Sequence, residues 1–314
     1  MKESSASQTI AAKIKELKKS KNASLLSHYY QHPVIQDLSD MVGDSLQMAR
    51  YATTCTSDVL VVAGVFFMAE TVKILNPSRT VLIPDLQAGC SLASSCPPDK
   101  FRSFIEAHPG SPVVTYVNCS AEIKAMSDVV CTSSNAVKII NSIKTEKPII
   151  FAPDINLGKY LIQQTGRELL LWDGSCTVHA NFSIDKILEL HQRHPNAKFI
   201  AHPESQPHIL RIASCVGSTK DMIDFVKRDP CNEFIVATEP GILHQMHKET
   251  PQKRLIPAPI YEENTCACSE CPYMKMITPD KVYTSLLSEK PAVNVNEEVR
   301  LNAARALERM LTLS

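Results

Sequence analysis

The sequence predicts an α/β protein of three pseudo-threefold-related α-β-α sandwich domains, with parallel sheets around one central active site. The first observation is an internal repeat with one pattern of apolar positions, at residues 34–52, 122–140 and 208–226. One column of this repeat, spaced by 88 and 86 residues, holds Ser45, Ser133 and Thr219. The second observation is that short, continuously apolar strands alternate with helices, which is typical of parallel sheets covered on both faces.

Each repeat contains the same elements in the same order. An amphipathic helix comes first, predicted over residues 10–19, 100–107 and 184–193. A short apolar strand follows, at residues 25–30, 112–118 and 198–204. A helix of about a dozen residues then leads to a second strand, at residues 59–64, 148–153 and 233–240. A short helical stretch precedes the third strand, at residues 80–85, 168–174 and 254–259.

The chain continues beyond the third repeat as two more predicted helices. The last one is expected to begin after a capping Asn296, and its apolar stripe comprises Val299, Ala303, Ala306 and Met310. The predicted domains are residues 1–92 joined by the C-terminal helices of 272–314, residues 93–178, and residues 179–271.

Composition and charge exclude several classes of protein. The 314 residues carry 33 Lys and Arg against 33 Asp and Glu, so no basic excess predicts binding to nucleic acid or to a membrane. The longest apolar run, at residues 59–69, is too short to span a bilayer. The first residues lack the apolar stretch of a secretory signal, so we expect a cytoplasmic location. The 11 cysteines are then poor material for disulfides, and a few of them are expected to ligate metal or act as nucleophiles.

Polar residues recur at equivalent positions after the predicted strands. Ligands of open parallel sheets bind outside the carboxyl ends of the strands, so these positions predict the site. After the first strand of each unit come His28 and Tyr30, Tyr116 and Asn118, and His202 and Glu204. The following helices start near Ser45, Ser133 and Thr219. Hydroxyls and free N–H groups at helix starts favour a bound phosphate or carboxylate, although the commoner role of such residues is ordinary helix capping.

Three cysteines each follow the third strand of their unit by a few residues: Cys90, Cys176 and Cys271. If the threefold axis brings the strand ends together, one cavity receives one thiol from each domain. Three thiolates would hold an iron–sulfur cluster with one iron open to substrate as a Lewis acid. Zinc with three ligands and an open position is the competing interpretation, and three buried thiols that bind no metal are the third. The all-thiolate set favours the cluster.

The segment CACSECP, at residues 266–272, holds a second cysteine pattern. The run C-x-C-x-x-C followed by proline resembles part of a ferredoxin or zinc-ribbon ligand set. No second pair follows downstream, so we interpret Cys271 as the ligand and Cys266 and Cys268 as loop neighbours. The remaining cysteines carry no motif and are expected to pack in the interior, namely Cys55, Cys96, Cys119, Cys131, Cys215 and Cys231.

The chain resembles the quinolinate synthase family along nearly its whole length. The resemblance runs from SHYYQHPVIQDLSDMVGDSLQMARYA at residues 27–52 to CPYMKM at residues 271–276. Further matching blocks lie at residues 64–97, 115–136, 171–183 and 202–219. The resemblance implies the triplicated α-β-α fold. It also implies condensation of iminoaspartate with dihydroxyacetone phosphate to quinolinate, phosphate and two waters, a step of de novo NAD biosynthesis.

The resemblance further implies a cofactor, a set of site residues and partners. Members of the family carry a 4Fe–4S cluster with one open iron on three cysteines, which correspond here to Cys90, Cys176 and Cys271. The substrate-contacting positions correspond to His28, Tyr30, Ser45, Tyr116, Asn118, Ser133, His179, His202, Glu204, Thr219 and Met274. The expected catalytic residues among them are Tyr30, His28, Glu204, His202 and Tyr116. The expected partners are the two small-molecule substrates, with iminoaspartate supplied by an aspartate oxidase or dehydrogenase.

Two positions depart from the family pattern. Ala180 follows His179 where many relatives have an acid, and the cysteine-rich loop lacks one residue of the C-x-x-C-x-x-C spacing of several relatives. Two other functions remain open. One is a cluster-dependent hydro-lyase acting on a single dicarboxylate, which would release no phosphate. The other is a non-catalytic metal-binding regulator, against which the neutral charge and the lack of a helix-turn-helix motif argue.

Overall fold

The structure is a computed structural model that describes residues 2–261 and 269–314 of the chain. In this part of the chain, three sheets each contain four strands. The strands are Ala23–His28 (β1), Met41–Gly43 (β2), Val59–Ala63 (β3), Thr80–Leu82 (β4), Val113–Tyr116 (β5), Val129–Cys131 (β6), Ile149–Ala152 (β7), Leu169–Leu171 (β8), Lys198–Ala201 (β9), Cys215–Val216 (β10), Glu233–Ala237 (β11) and Arg254–Pro257 (β12).

Helices connect the strands and cover the sheets. They are Lys2–Ser20 (α1), Pro33–Leu38 (α2), Ser45–Thr54 (α3), Phe66–Leu75 (α4), Ser91–Ser94 (α5), Pro98–Glu106 (α6), Ala121–Ala125 (α7), Ala136–Ser142 (α8), Ile155–Thr165 (α9), Ile184–Arg193 (α10), Pro207–Leu210 (α11), Thr219–Arg228 (α12), Ile242–Glu249 (α13), Pro272–Lys275 (α14), Pro279–Ser288 (α15) and Glu297–Leu313 (α16). A 3₁₀ turn spans His179–Asn181. Over the described ranges, none of the helices has both the length and the apolar character needed to cross a bilayer.

The three sheets share one topology. Their strand orders are β2-β1-β3-β4, β6-β5-β7-β8 and β10-β9-β11-β12. Every strand pairing is parallel, so a crossover connection must return the chain to the same edge of the sheet between strands. The equivalent connections carry the helices that cover the sheets, which confirms the predicted α/β fold of three α-β-α units.

Each sheet has one strand more than the sequence pattern predicted. The additional strands are the edge strands β2, β6 and β10, which contain only two or three residues. In the first unit, β2 separates α2 from α3, where we expected one continuous helix. A strand this short has no room for a periodic pattern, and the apolar residues of the two flanking helices together read as one helical stripe.

The core consists of the central strands and the apolar faces of the helices. Leu25 and Leu26 of β1 and Leu60 of β3 are fully buried, and the same holds for Phe151 of β7 and Phe234 of β11. Burying each side chain of this size contributes roughly 1.5–3 kcal/mol relative to leaving it exposed. The central strands are therefore fixed firmly enough to hold the residues that follow their carboxyl ends.

The C-terminal segment packs on the first two units. Helix α15 contacts α1 and β3, and Ala292 forms an antiparallel bridge with Leu82 at the edge of the first sheet. Helix α16 contacts α4, α7 and β6. Asn296 caps α16 as predicted, because its side chain accepts hydrogen bonds from the N–H groups of Glu298 and Val299 at 3.0 and 3.3 Å. The domain boundaries at residues 92, 178 and 271 stay a prediction.

Candidate active site

The carboxyl ends of the three sheets open onto one cavity, which encloses about 650 Å³ including open solvent at its mouth. All fourteen residues singled out from the sequence line this cavity. They are His28, Tyr30, Ser45, Cys90, Tyr116, Asn118, Ser133, Cys176, His179, His202, Glu204, Thr219, Cys271 and Met274. Residues separated by almost 250 positions in the chain thus share one chamber. Their individual roles stay predictions.

Two histidines in this cavity adopt the same local arrangement. The Nδ1 atom of His28 accepts the backbone N–H of Tyr30 at 3.2 Å, and that of His202 accepts the backbone N–H of Glu204 at 3.4 Å. With Nδ1 used as an acceptor, the proton of each neutral ring lies on Nε2. The Nε2 atom of His202 is 3.2 Å from the hydroxyl of Ser133. Burial lowers the pKa of His28 and of His202 to about 3, so both rings are neutral near pH 7.

Glu204 is the centre of a buried hydrogen-bond network. Its Oε1 atom accepts the phenol of Tyr116 at 2.6 Å, and its Oε2 atom lies 3.2 Å from Nδ1 of His179. That Nδ1 atom nevertheless has no hydrogen bond in the structure. Burial opposes ionisation of Glu204, but the adjacent imidazoles of His179 and His202 and the hydrogen bond from Tyr116 lower its pKa to about 2. Glu204 is therefore a carboxylate at neutral pH.

A threonine outside the predicted set joins two of the site residues. The Thr238 hydroxyl lies 2.6 Å from the phenol oxygen of Tyr30 and 2.9 Å from Nε2 of His179. Burial and the charge of Glu204 raise the pKa of Tyr30 well above its usual value. The same two causes raise the pKa of Tyr116. Both phenols consequently keep their protons and can act as hydrogen-bond donors.

The three cysteines sit at equivalent turns. Cys90 precedes α5 and Cys271 precedes α14 as the residue before each helix, while Cys176 precedes the 3₁₀ turn by three residues. Each thiol is approached by the backbone N–H of the residue three positions later, which is Ala93, His179 or Met274. These N–H groups favour a thiolate. Burial is the larger influence, and it raises the pKa of Cys90 to about 12 and those of Cys176 and Cys271 above the usual value.

Buried acids lie behind two of the cysteines. The Asp154 carboxyl group interacts with the backbone N–H of Cys176, and Glu239 Oε1 accepts that of Cys271 at 3.4 Å. The two acids are equivalent, because each stands two residues beyond its central strand. Gly174 allows the loop before Cys176 to approach the backbone beside Asp154 closely, because an added Cβ there would lie 2.6 Å from the carbonyl oxygen of Pro153. The first unit has Val65 in the equivalent place.

The helix starts differ from the sequence expectation in two respects. Ser45 and Thr219 are the first residues of α3 and α12, but the caps are the preceding residues. Asp44 Oδ1 accepts the N–H of Gln47 at 2.8 Å, and Ser218 Oγ accepts that of Asp221 at 3.2 Å. Capping is therefore wrong as an interpretation of Ser45 and Thr219. Across residues 2–261 and 269–314, neither of their hydroxyls forms a hydrogen bond, which leaves both free for a ligand.

Ser133 also departs from the prediction. It lies in a turn three residues before α8 rather than on the helix. The local arrangement is still the repeated one, because Asn135 Oδ1 accepts the N–H of Thr132 at 2.7 Å. Gln47 and Asp221 make the same bond to the residue three positions before them, at 3.0 and 2.9 Å. The repeat thus preserves the turn geometry although the second helix begins later.

Seven further residues line the cavity. They are Asp44, Val65, Phe67, Met68, Thr132, Val178 and Glu239. Asp44 and Thr132 stand beside Ser45 and Ser133, so the same columns of the repeat could have supplied them, whereas Glu239 lies near the end of the predicted second strand of the third unit. The apolar members carry no chemical signal in the sequence. Three of them, Val65, Phe67 and Met68, lie on or just before α4 and form an apolar wall at the first unit.

The six cysteines without a motif pack in the interior, as predicted. Cys96, Cys119 and Cys131 are buried in apolar clusters, and Cys55, Cys215 and Cys231 pack against the core in partly buried positions. None of these six lines the cavity. Cys266 and Cys268 lie outside the described residues.

The donor atoms of the cavity fit a metal centre. Cys90, Cys176 and Cys271 are mutually near enough that a charge on one raises the pKa of a neighbour, which a bound cation would relieve. The donor atoms of Cys176, His179 and Glu204 all lie within 4.8 Å of one another. The cavity therefore offers thiol, imidazole and carboxylate donors in a buried setting.

The chain is similar to a known family over almost its full length. Residues 12–312 match the family model described as NadA, quinolinate synthetase A protein. A quinolinate synthase of Nostoc sp. is 56% identical over 303 residues, covering 96% of this chain and 93% of the relative. Those of Synechococcus sp. and Thermosynechococcus vestitus are 54% and 52% identical over 305 residues, each covering 97% of this chain and 95% of the relative. The resemblance predicted from the sequence is confirmed, and the chain belongs to the quinolinate synthetase A family.

Proposed function

We propose that the central cavity condenses iminoaspartate with dihydroxyacetone phosphate, giving quinolinate, inorganic phosphate and two waters. Family membership makes the chain an enzyme that forms quinolinate in NAD biosynthesis. The observation that supports the substrate assignment is the meeting of one cysteine from each unit with acid–base and hydroxyl side chains in one cavity. Neither the single-dicarboxylate hydro-lyase nor the metal-binding regulator is favoured by any observation.

The cofactor in this proposal is a 4Fe–4S cluster held by Cys90, Cys176 and Cys271. Three cysteines leave one iron without a protein ligand, and such an iron supplies Lewis-acid polarisation of a substrate oxygen or nitrogen when the cluster is bound. Backbone N–H groups beside each thiol suit a thiolate ligand rather than a neutral thiol.

The chain's own side chains then account for the proton transfers. Glu204 is a buried carboxylate and can accept a proton, while the Tyr116 phenol that donates to it can return one. Tyr30 presents a second protonated phenol to the same cavity. Neutral His28 and His202 can donate through Nε2, as the contact of His202 with Ser133 illustrates. Isomerisation, ring closure and dehydration each need such a transfer.

The remaining polar residues hold the substrates in this proposal. The two substrates carry three anionic groups, which are two carboxylates and one phosphate. Ser45, Ser133 and Thr219 offer hydroxyls around the cavity, and Asn118 adds an amide. His179 and Met274 complete the predicted contacts, with Met274 only 4% exposed. Holding both substrates in a cavity with an apolar wall supplies proximity and shields the hydrolysable imine from water.

The supply of substrate follows from its chemistry. Iminoaspartate hydrolyses in water, so an aspartate oxidase or dehydrogenase must produce it close to its point of use. We place this chemistry in the cytoplasm, in agreement with the expectation from the sequence.

The proposal is tested by one anaerobic preparation analysed for iron, sulfide and quinolinate formation together. Cys90→Ala, Cys176→Ala and Cys271→Ala should each lose most of the cluster absorbance and the activity. Cys215→Ala, a partly buried cysteine away from the cavity, is the matched control and should keep both. Phosphate released in equal amount to quinolinate supports the triose phosphate assignment. Retention of the cluster in Cys271→Ala, with its loss in Cys268→Ala, would overturn the ligand assignment.

A further inference from the structure

We propose that Cys176, His179 and Glu204 form a mononuclear Zn²⁺ site that shares one cysteine with the cluster and therefore competes with it. The donor atoms of the three residues lie within 4.8 Å of one another, and the side chains of His179 and Glu204 are only 3% exposed. The existence of this site is independent of the proposed function. Its competition with the cluster rests on the proposed function, because it needs Cys176 to be a cluster ligand.

The geometry of the imidazole and the carboxylate suits zinc. Ligand atoms about 2.0–2.2 Å from a tetrahedral zinc ion are separated from each other by roughly 3.3–3.5 Å. Nδ1 of His179 and Oε2 of Glu204 are 3.2 Å apart, so both could bind one ion with little movement. The two atoms lie at this distance without a hydrogen bond between them, as two ligands of one ion would.

An unpartnered atom points to a missing ligand. Nδ1 of His179 has no hydrogen bond although the residue is 2% exposed. A buried polar atom without a partner costs free energy that a bound cation would recover. His28 and His202 differ from His179 in this respect, because Nδ1 of each accepts a backbone N–H.

The outer contacts hold the ligands in the orientation that a metal site needs. Nε2 of His179 lies 2.9 Å from the Thr238 hydroxyl, which leaves Nδ1 as the free donor atom. Oε1 of Glu204 accepts the Tyr116 phenol at 2.6 Å, which leaves Oε2 free. The Cys176 thiol is approached by the backbone N–H of His179 itself. Partners of this kind on each ligand are a regular feature of metal sites.

The donor set selects the kind of metal. One sulfur, one imidazole nitrogen and one carboxylate oxygen suit Zn²⁺ and exclude the hard cations Mg²⁺ and Ca²⁺, which take oxygen ligands. Three protein ligands would leave the fourth position of a tetrahedral zinc ion for water or another ligand, as in a catalytic zinc site. A zinc-loaded chain would have two cysteines left for a cluster that needs three.

Zinc binding is measured on the anaerobic, metal-free full chain by competition with a chromophoric chelator. Cys176→Ala, His179→Gln and Glu204→Gln should each weaken zinc binding at least tenfold, whereas Cys90→Ala and Cys271→Ala should leave it within twofold. Any zinc taken by the run of Cys266, Cys268 and Cys271 is a constant background in every variant except Cys271→Ala, so Cys90→Ala is the decisive cysteine control. Unchanged affinity in His179→Gln, or loss of binding in Cys90→Ala, would overturn the site. Thr238→Val, which removes only an outer contact, should weaken binding less than His179→Gln and checks the site should a ligand variant fail to fold.

Competition is measured separately, by reconstituting the cluster with and without one equivalent of zinc per chain. We expect zinc to reduce the cluster absorbance in the wild-type chain and to have little effect in His179→Gln. Zinc that binds with the expected variant pattern but leaves cluster loading unchanged would support the metal site and overturn the sharing of Cys176. The failure of the zinc site and the failure of the cluster assignment are thus distinguishable.

Discussion

At the scale of single residues, the cavity separates groups that hold protons from groups that do not. Tyr30 and Tyr116 are kept protonated by burial and by the charge of Glu204, whereas Glu204 is kept ionised by its neighbours. Two adjacent groups with pKa values shifted in opposite directions form a natural acid–base pair. Tyr116 and Glu204 are such a pair, joined by a 2.6 Å hydrogen bond.

Replacing Glu204 by glutamine should abolish most of the turnover, because an amide keeps the size of the side chain but cannot accept the proton. A positioned acid–base group contributes roughly 10²–10⁴-fold, so kcat of Glu204→Gln should fall within that range. The kcat of Tyr30→Phe, which lacks the phenol proton, should fall by a similar factor. Anaerobic initial rates on samples of equal cluster content provide the measurement. A variant that turns over at the wild-type rate removes that residue from the mechanism.

At the scale of elements, neighbouring residues at the helix starts serve helix stability and ligand binding separately. Adjacent residues have different roles at the start of α12, where Ser218 bonds the N–H of Asp221 and Thr219 turns its hydroxyl to no protein partner within the described residues. The sequence repeat located this column but could not tell which of two neighbouring hydroxyls caps the helix. That choice depends on backbone dihedral angles, and Ser218 is the residue with non-helical geometry.

Ser218→Ala and Thr219→Val should therefore have opposite effects. Ser218→Ala loses a cap and should lower the free energy of unfolding by about 1 kcal/mol, with little change in kcat/KM. Thr219→Val should leave stability nearly unchanged and cost about 1–3 kcal/mol in kcat/KM, the range for a lost hydrogen bond to a charged group. Denaturant unfolding and steady-state kinetics on both variants measure the two effects. If Thr219→Val loses stability but keeps kcat/KM, the hydroxyl does not bind an anionic group.

Most of the strand and helix positions could be predicted from the sequence, because the repeat supplies three independent readings of each element. The edge strands β2, β6 and β10 could not, since two or three residues show no periodicity. Ser133 illustrates the same limit, because α8 begins three residues after it although the repeat aligns it with the first residues of α3 and α12. Local turn geometry, rather than apolar pattern, decides such boundaries.

The acids behind Cys176 and Cys271 should stabilise the cluster by holding the backbone of its ligands. Asp154→Ala and Glu239→Ala should increase the rate of anaerobic iron loss to a chelator by about 10–100-fold, the usual effect of removing an outer partner of a metal ligand. Glu239→Gln should lose iron more slowly than Glu239→Ala, since its amide oxygen still accepts the N–H of Cys271. Glu70→Ala is the control, because Glu70 is a buried acid that does not line the cavity. Equal rates in all variants would contradict this role.

At the scale of the whole molecule, three similar units produce one asymmetric site. Each unit contributes a cysteine and a pair of polar residues from the end of its first strand. The units differ in the residue two positions beyond the central strand, which is Val65 in the first unit, Asp154 in the second and Glu239 in the third. The repeat predicted which residues are equivalent, and the strand-end rule predicted that they meet. Neither could predict contacts between units, such as the bond from the Ser134 hydroxyl to Asp44 at 2.7 Å, because these depend on how the sheets are oriented.

The burial of neutral histidines between the units should make the stability of the whole molecule depend on pH. The pKa values of His28 and His202 are lowered from 6.5 to about 3 by burial. Between these values the unfolded chain binds protons that the folded chain does not, so stability is fully present above about pH 6.5 and falls as the pH falls. Each histidine should lower the free energy of unfolding by about 2 kcal/mol between pH 7 and pH 5. Glu204, with a pKa lowered from 4.5 to about 2, acts in the same direction only at lower pH.

Denaturant unfolding of the metal-free chain at pH 7 and pH 5 tests this dependence through variants. Buried acids with raised pKa, such as Asp154 and Glu239, make the folded chain less stable as the pH rises and partly offset the effect of the histidines. The pH dependence of the wild-type free energy of unfolding is therefore not decisive by itself. His28→Gln and His202→Gln should each reduce the loss between pH 7 and pH 5 by about 2 kcal/mol, because glutamine does not titrate. His191→Gln, on the exposed face of α10, should keep the wild-type dependence. An unchanged loss in both cavity variants would mean that these two rings gain protons in the folded chain as readily as in the unfolded one.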